Sequence, residues 1–191
     1  MTRFFCITFS SLVFAFAASF AAKKDKPVPK PPAIDIFTAS LTGNLEAIKQ
    51  HAAVGANLNA MEPQGGSAPL MLATLTGEIK AVALLLELDV DVNLKNGKDG
   101  ATALHLATFF GYPDVVEALL QKGAKPNLKN NDGKTPLDIA LPKWSTALEE
   151  VYKFVEAVLK MKLDLDRIKK VRPEIATLLR NNGGKTSQEL E

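Results

Sequence analysis

Thr102-Ala103-Leu104-His105-Leu106-Ala107, followed by Phe109-Phe110-Gly111, decides how the rest of the chain is read, because its parts recur at a fixed distance on either side. Gly43, Gly77 and Gly111 are 34 residues apart, as are Asn59, Asn93 and Asn127, and Ala39, Ala73 and Ala107, with Ala140 following after 33. Three residue types holding one register mark an internal repeat. Each period carries a glycine-containing turn, a short apolar segment, a second glycine, a longer apolar segment and an Asn in a polar loop. The spacing predicts two helices per unit, joined at Gly43, Gly77 and Gly111, where a helix end needs a positive φ. Two short amphipathic helices cannot bury their own apolar face, so neighbouring units must stack.

Thr102-Ala103-Leu104-His105-Leu106-Ala107 and Thr135-Pro136-Leu137-Asp138-Ile139-Ala140, with a weaker copy at Ala68-Pro69-Leu70-Met71-Leu72-Ala73, resemble the Thr-Pro-Leu-His-x-Ala signature of ankyrin repeats. Val115 to Ala124 resembles the family's second helix, and Pro173 to Gly184 a terminal capping helix. The resemblance implies an all-α solenoid of about four repeats plus a C-terminal capping helix, with its loops at one edge and no disulfides. It also implies structural roles for Gly43, Gly77 and Gly111 in the helix turns, and for Thr102, His105 and Thr135 in the signature turn.

The first repeat begins at Asp35-Ile36-Phe37 without that turn, as an N-terminal cap does. After Ala140 the glycine is missing and Pro142-Lys143-Trp144-Ser145 intervenes, followed by Leu148, Val151, Tyr152, Val155, Val158 and Leu159 at helical spacing. Val155 to Leu159 matches Val116 to Leu120, which predicts a fourth repeat with a lengthened connection and then a truncated fifth. A separate inserted helix is the other alignment. On the first alignment the repeats run 34–61, 62–96, 97–129, 130–166 and 167–185, within a domain at 34–185 and before a tail at 186–191.

Residues 1–21 read as a secretory signal peptide. Arg3 supplies the positive start, Phe4 to Phe16 the apolar run and Ala17 to Ala22 a small-residue exit. Cleavage after Ala21 predicts a soluble periplasmic protein, whereas an uncleaved segment predicts a membrane anchor. The only cysteine, Cys6, lies in this leader, so the mature chain is expected to carry no thiol. The linker at 22–33 alternates prolines with lysines and is expected to be an extended spacer.

Of the 191 residues, 47% are hydrophobic, enough for a core, and 23 basic against 21 acidic residues leave no footprint for nucleic acid. Two distant histidines and a thiol-free mature chain argue against a zinc site or a Cys-His nucleophile. Gly133-Lys134-Thr135 and Gly184-Lys185-Thr186 resemble the end of a phosphate loop, but Leu128 and Leu179 stand where that loop needs a glycine. The expectation is a non-enzyme with no cofactor, no metal and no small-molecule ligand, monomeric when free. His51 falls where the pattern expects a core leucine, and partial burial at the N-terminal cap is expected.

The resemblance places loop tips and first helices on a concave surface where ankyrin proteins hold partners. In that register Leu75, Thr76, Phe109, Phe110, Lys143 and Trp144 project there, with Tyr112 beside them and Lys98 and Lys129 at the tips. At least one of Phe109 and Phe110 is expected to be exposed; the alternative packs both under the next repeat's loop. The implied function is noncatalytic binding of another exported protein. Inhibition of, or immunity against, an envelope enzyme such as a peptidoglycan hydrolase comes first. A membrane-tethered scaffold or stress-protection protein stabilising a periplasmic partner, and a secreted effector, are the alternatives.

Overall fold

The computed structural model describes residues 32–191, so the readings on the leader and on the linker through 31 lie outside the described residues. Within them the secondary structure is helical. α1 (Ile36–Leu41) and α2 (Leu45–Ala53) form the first repeat, α3 (Pro69–Thr76) and α4 (Ile79–Glu87) the second, and α5 (Ala103–Phe109) and α6 (Pro113–Gln121) the third. Then come α7 (Pro136–Ala140), α8 (Thr146–Leu159), α9 (Leu165–Asn181) and a 3-10 turn at Gln188–Leu190.

Helix starts follow local chemistry. Asp35 Oδ1 accepts the Phe37 and Thr38 amides at 2.9 Å each, and Asn44 Oδ1 accepts the Ala47 amide at 3.0 Å, meeting donors that a first helical turn leaves open. Pro69, Pro113 and Pro136 occupy first-turn positions, where a missing N–H costs nothing. The turn between α5 and α6 depends on Gly111. Its φ is +70°, and a Cβ there would stand 3.0 Å from Val171 Cγ2 and 3.2 Å from Ile168 Cα, so both backbone and space demand glycine.

The helices stack in two layers. α1, α3, α5 and α7 make the inner layer and α2, α4, α6 and α9 the outer one, each touching its neighbours in that layer. The core lies between the layers and between repeats, where Leu70, Val82, Leu85, Leu104, Val116, Leu119, Leu137, Ile175 and Leu179 are buried. Stacking supplies the burial that one helix pair lacks. A solenoid of four repeats is thus present, and its terminal helix, α9, is the outer helix of the fourth repeat rather than a cap added beyond it.

An asparagine ladder decides between the two alignments of the irregular segment. Asn59 Oδ1 accepts the Asp91 amide at 2.9 Å, and Asn93 Oδ1 accepts the Lys125 amide at 2.8 Å while its Nδ2 donates to Gly123 O at 3.2 Å. Asn127 repeats both bonds with the Lys185 amide at 2.7 Å and Gly183 O at 3.0 Å. Lys185 therefore takes the place that Lys125 holds after α6, and α9 is the outer helix of the fourth repeat. α8 is an inserted helix, and Val155 to Leu159 are not an outer helix. Apolar spacing could not separate these alignments, because α8 and α9 both carry an apolar stripe at helical period.

Candidate functional site

The insertion turns back over the C-terminal end of α5. Phe110 is 2% exposed and Phe109 is half-buried, and Phe109 stacks on Tyr152 of α8 with ring centroids 4.5 Å apart. Trp144 stacks on the same Tyr152 ring at 5.4 Å, and Phe110 meets Phe109 edge-on at 5.1 Å. The sequence expected one of these phenylalanines to be open to a partner. Instead the apolar stripe of α8 formed by Leu148, Tyr152 and Val155 covers them, and burying that area together is more favourable than leaving either surface in water.

Polar groups lock the cover in place. Tyr152 Oη donates to Phe109 O at 2.8 Å and accepts from Arg172 Nη1 at 3.0 Å. Arg172 is 4% exposed, and its Nη2 also donates to Ile139 O at 2.6 Å and Pro142 O at 3.3 Å. Those are carbonyls at the end of α7, where the turn glycine of the other repeats is missing. Arg167 does the same one repeat earlier, donating to Gly111 O and, at 3.1 Å, to Phe110 O. Its guanidinium lies 5.0 Å from the centroid of the half-buried Tyr112 ring.

The other proposed contact residues divide. Leu75 and Thr76 are half-buried at the end of α3, with the Thr76 hydroxyl donating to Leu72 O at 3.1 Å. Lys143 and Lys98 are exposed and Trp144 is half-buried. Lys129 is also half-buried, its ammonium donating to Ser187 O at 3.3 Å, while Lys95 donates to Lys129 O at 2.7 Å. The tips stand at the N-terminal end of α5 and the aromatic pair at its C-terminal end, about 10 Å apart along the seven-residue helix. Phe109, Phe110 and Trp144 thus pack around Tyr152 at one end of α5, and Lys98 and Lys129 stand at the other.

The loops form a braced edge. Asn96 Oδ1 accepts the amides of Lys98, Asp99 and Gly100 at 3.1, 3.0 and 3.0 Å, and Asn130 Oδ1 accepts those of Asp132 and Lys134 at 3.1 and 2.9 Å. Asn131 ties the two tips together, its amide donating to Asp99 O at 2.8 Å and its Nδ2 to Lys98 O at 3.2 Å. Lys98, Asp99, Asn131, Asp132 and Lys134 are exposed on this edge.

Repeat geometry with an asparagine ladder, and a signature turn in each later unit, agrees with a family model for ankyrin repeats, which fits residues 36–130 in three copies. The chain is an ankyrin-repeat protein. No curated protein matches it. The match spans the first three repeats and stops before the insertion. In this ankyrin-repeat protein His105 sits in the third repeat's turn, 1% exposed, with Nδ1 accepting the Thr102 amide at 3.1 Å and Nε2 against Lys134 O at 3.1 Å. Thr135 is buried and donates to Lys185 O at 2.8 Å, and Gly43 and Gly77 have φ of +65° and +72°. His51 is half-buried, with Nε2 at 2.9 Å from Ile34 O. Among the described residues no group of three or more His, Cys, Asp or Glu could hold a metal ion, and no helix is long and apolar enough to cross a membrane.

Burial holds the His105 imidazole below its ordinary pKa of about 6.5, despite the Lys134 carbonyl that favours its charged form. The folded state therefore binds a proton less readily than the unfolded chain. Its stabilising contribution is complete above about pH 6.5 and is lost as pH falls through the folded-state pKa. Thermal melts from pH 7.5 to 5 are expected to show a falling Tm, and His105→Gln to flatten that dependence; an equal slope in both proteins would disprove the assignment.

Sequence reading missed one feature. It took the apolar residues of α8 as a single core-facing stripe, yet Val151, Phe154 and Val158 are 47%, 69% and 59% exposed. The signal was present as a second series, Ala147, Val151, Phe154 and Val158, beside the buried Tyr152 and the half-buried Leu148 and Val155.

Proposed function

We propose that this ankyrin-repeat protein is an exported, noncatalytic binder that blocks or protects against an exported envelope enzyme, such as a peptidoglycan hydrolase, through its loop edge. The repeats make it a protein-binding module. Export rests on the charged, apolar and small-residue order of residues 1–22. The observation that carries the reading is the pair of tips braced by Asn96, Asn130 and Asn131, which hold exposed Lys98 and Lys134 in place before a partner arrives. A preorganised edge loses little entropy on docking, and its lysines select an acidic complement. Occupying an enzyme's cleft rigidly is sufficient for inhibition, since neither side has to change shape.

The test is retention of an envelope protein by the immobilised chain, followed by binding kinetics and activity of that protein. Lys98→Glu with Lys134→Glu is expected to slow association about tenfold at low ionic strength, with the difference shrinking as salt rises. Unchanged kinetics in the folded double variant would remove the loop edge from the interface. A partner whose activity is untouched by saturating amounts of the chain would remove inhibition.

A further inference from the structure

The outward face of α8 is an apolar strip with no covering element in the described residues. Ala147, Val151, Phe154 and Val158 follow one another at spacings of 4, 3 and 4 residues, and all four are exposed. That is the a/d rhythm of a two-helix seam, in which apolar residues return every 3.5 positions and interlock with a facing helix. The spacing reads the same in both directions. An identical helix running antiparallel then meets it residue for residue, with Val151 opposite Phe154 of the second copy and Ala147 opposite Val158.

We propose that α8 is a self-association surface whose occupant is the α8 of a second copy of this chain, packed antiparallel about a two-fold axis. Charge supports that occupant over a foreign one. The only ionisable side chain bordering the strip on its open side is Glu150, and antiparallel pairing sets it against Ala157 of the other copy rather than against its own equivalent. Glu150 is also already paired with Lys153 at 3.2 Å, so bringing it to the edge of a seam leaves no lone charge. Antiparallel alignment further places the positive end of each helix dipole beside the negative end of the other. Each small residue faces a larger one, since Ala147 meets Val158 and Val151 meets Phe154, which fills the seam without crowding.

A helix of 14 residues is about 20 Å long and presents fewer than three heptads, so the interface is of the small class and the dimer is weak and concentration-dependent. A weak dimer of this kind stands against the monomeric free state expected from the sequence. It is independent of the loop-edge reading, because the tips lie at the other end of α5 from the residues that α8 covers.

Sedimentation equilibrium of the exported chain, from which the leader with its apolar run and Cys6 has been removed, reads the mass directly. The apparent mass is expected to rise toward twice the monomer value between micromolar and millimolar concentration. Phe154→Asp, on a side chain that no core contact needs, is expected to weaken dimerisation at least tenfold with an unchanged circular dichroism spectrum, whereas Lys98→Glu with Lys134→Glu leaves it intact. Ala147→Cys with Val158→Cys gives the geometry. The two cysteines of one chain lie 11 residues apart on a helix, about 16 Å, too far for an internal disulfide. Oxidation of the double variant is therefore expected to give a covalent dimer that neither single variant forms. A mass that stays monomeric, a dimer indifferent to Phe154→Asp, or single-cysteine variants that cross-link as well as the double one would each overturn the proposal. So would a monomer whose Phe154 face binds anionic vesicles or an envelope protein instead.

Discussion

Leu119→Ala lowers the free energy of unfolding by about 2 to 5 kcal/mol, the range for deleting a large aliphatic side chain from a packed core. Leu119 is 0% exposed on α6, the outer helix that stacks between α4 and α9. The cavity left behind cannot be filled by a small adjustment of one helix, because repeats on both sides hold α6 in register. Each repeat contacts only its neighbours, so weakening the third loosens the coupling between the first half of the stack and the last. With one cysteine in the whole chain there is no disulfide to offset the loss. Leu120, half-buried beside it, provides the control and is expected to cost clearly less on truncation. Urea unfolding followed by circular dichroism measures both, and a loss below about 1 kcal/mol for Leu119→Ala would contradict the stacked arrangement.

Arg172→Met is the second large effect, about 2 to 4 kcal/mol, and it acts on the insertion as well as on the stack. The guanidinium satisfies the Ile139 and Pro142 carbonyls and the Tyr152 hydroxyl, three buried or half-buried acceptors on two separate elements. Methionine fills much of the same volume but donates nothing, so those acceptors are left desolvated and unpaired. α7 suffers first. It has five residues and ends without the left-handed glycine that closes the other inner helices, so Arg172 stands in for the missing turn. Losing it also frees Tyr152, and with it the cover over Phe109 and Phe110. Limited proteolysis is expected to cut within residues 141–164 of Arg172→Met well before it cuts the unsubstituted chain. Tyr152→Phe, which removes one hydroxyl and keeps the ring stack, is expected to cost only about 1 kcal/mol and to leave the insertion protected. Equal protease resistance in Arg172→Met and the parent would show that packing alone holds α8 down.

Much of the loop edge could be read from the chain. Asn96 and Asn130 lie next to the glycines and aspartates of turns, and such an Asn side chain bonds to nearby backbone whatever the rest of the fold does, whereas the bond from Asn131 to Lys98 O, 33 residues back, was hidden. Exposure of Lys98 follows from its place at a tip. The half-burial of Lys129 was hidden, because its partner Ser187 lies 58 residues further on.

What the sequence determined by itself is the repeat: its period, the helix pairs, the turn at Gly111 and the need to stack. These are local, since each follows from residues within one period or from the demand that one apolar face meet an identical neighbour. Only the tertiary structure decided what lies over α5. The fate of Phe109 and Phe110 depends on Tyr152 and Arg172, which come 43 and 63 residues after Phe109 and carry no mark of the repeat. It likewise decided which half of α8 is core and which is surface. Helical spacing shows that two apolar stripes exist side by side on one helix, but it cannot say which of them the rest of the chain covers. That choice is made by the shape and polar groups of the end of α5, where Phe109 and its carbonyl receive the ring and hydroxyl of Tyr152 and leave Phe154 in water.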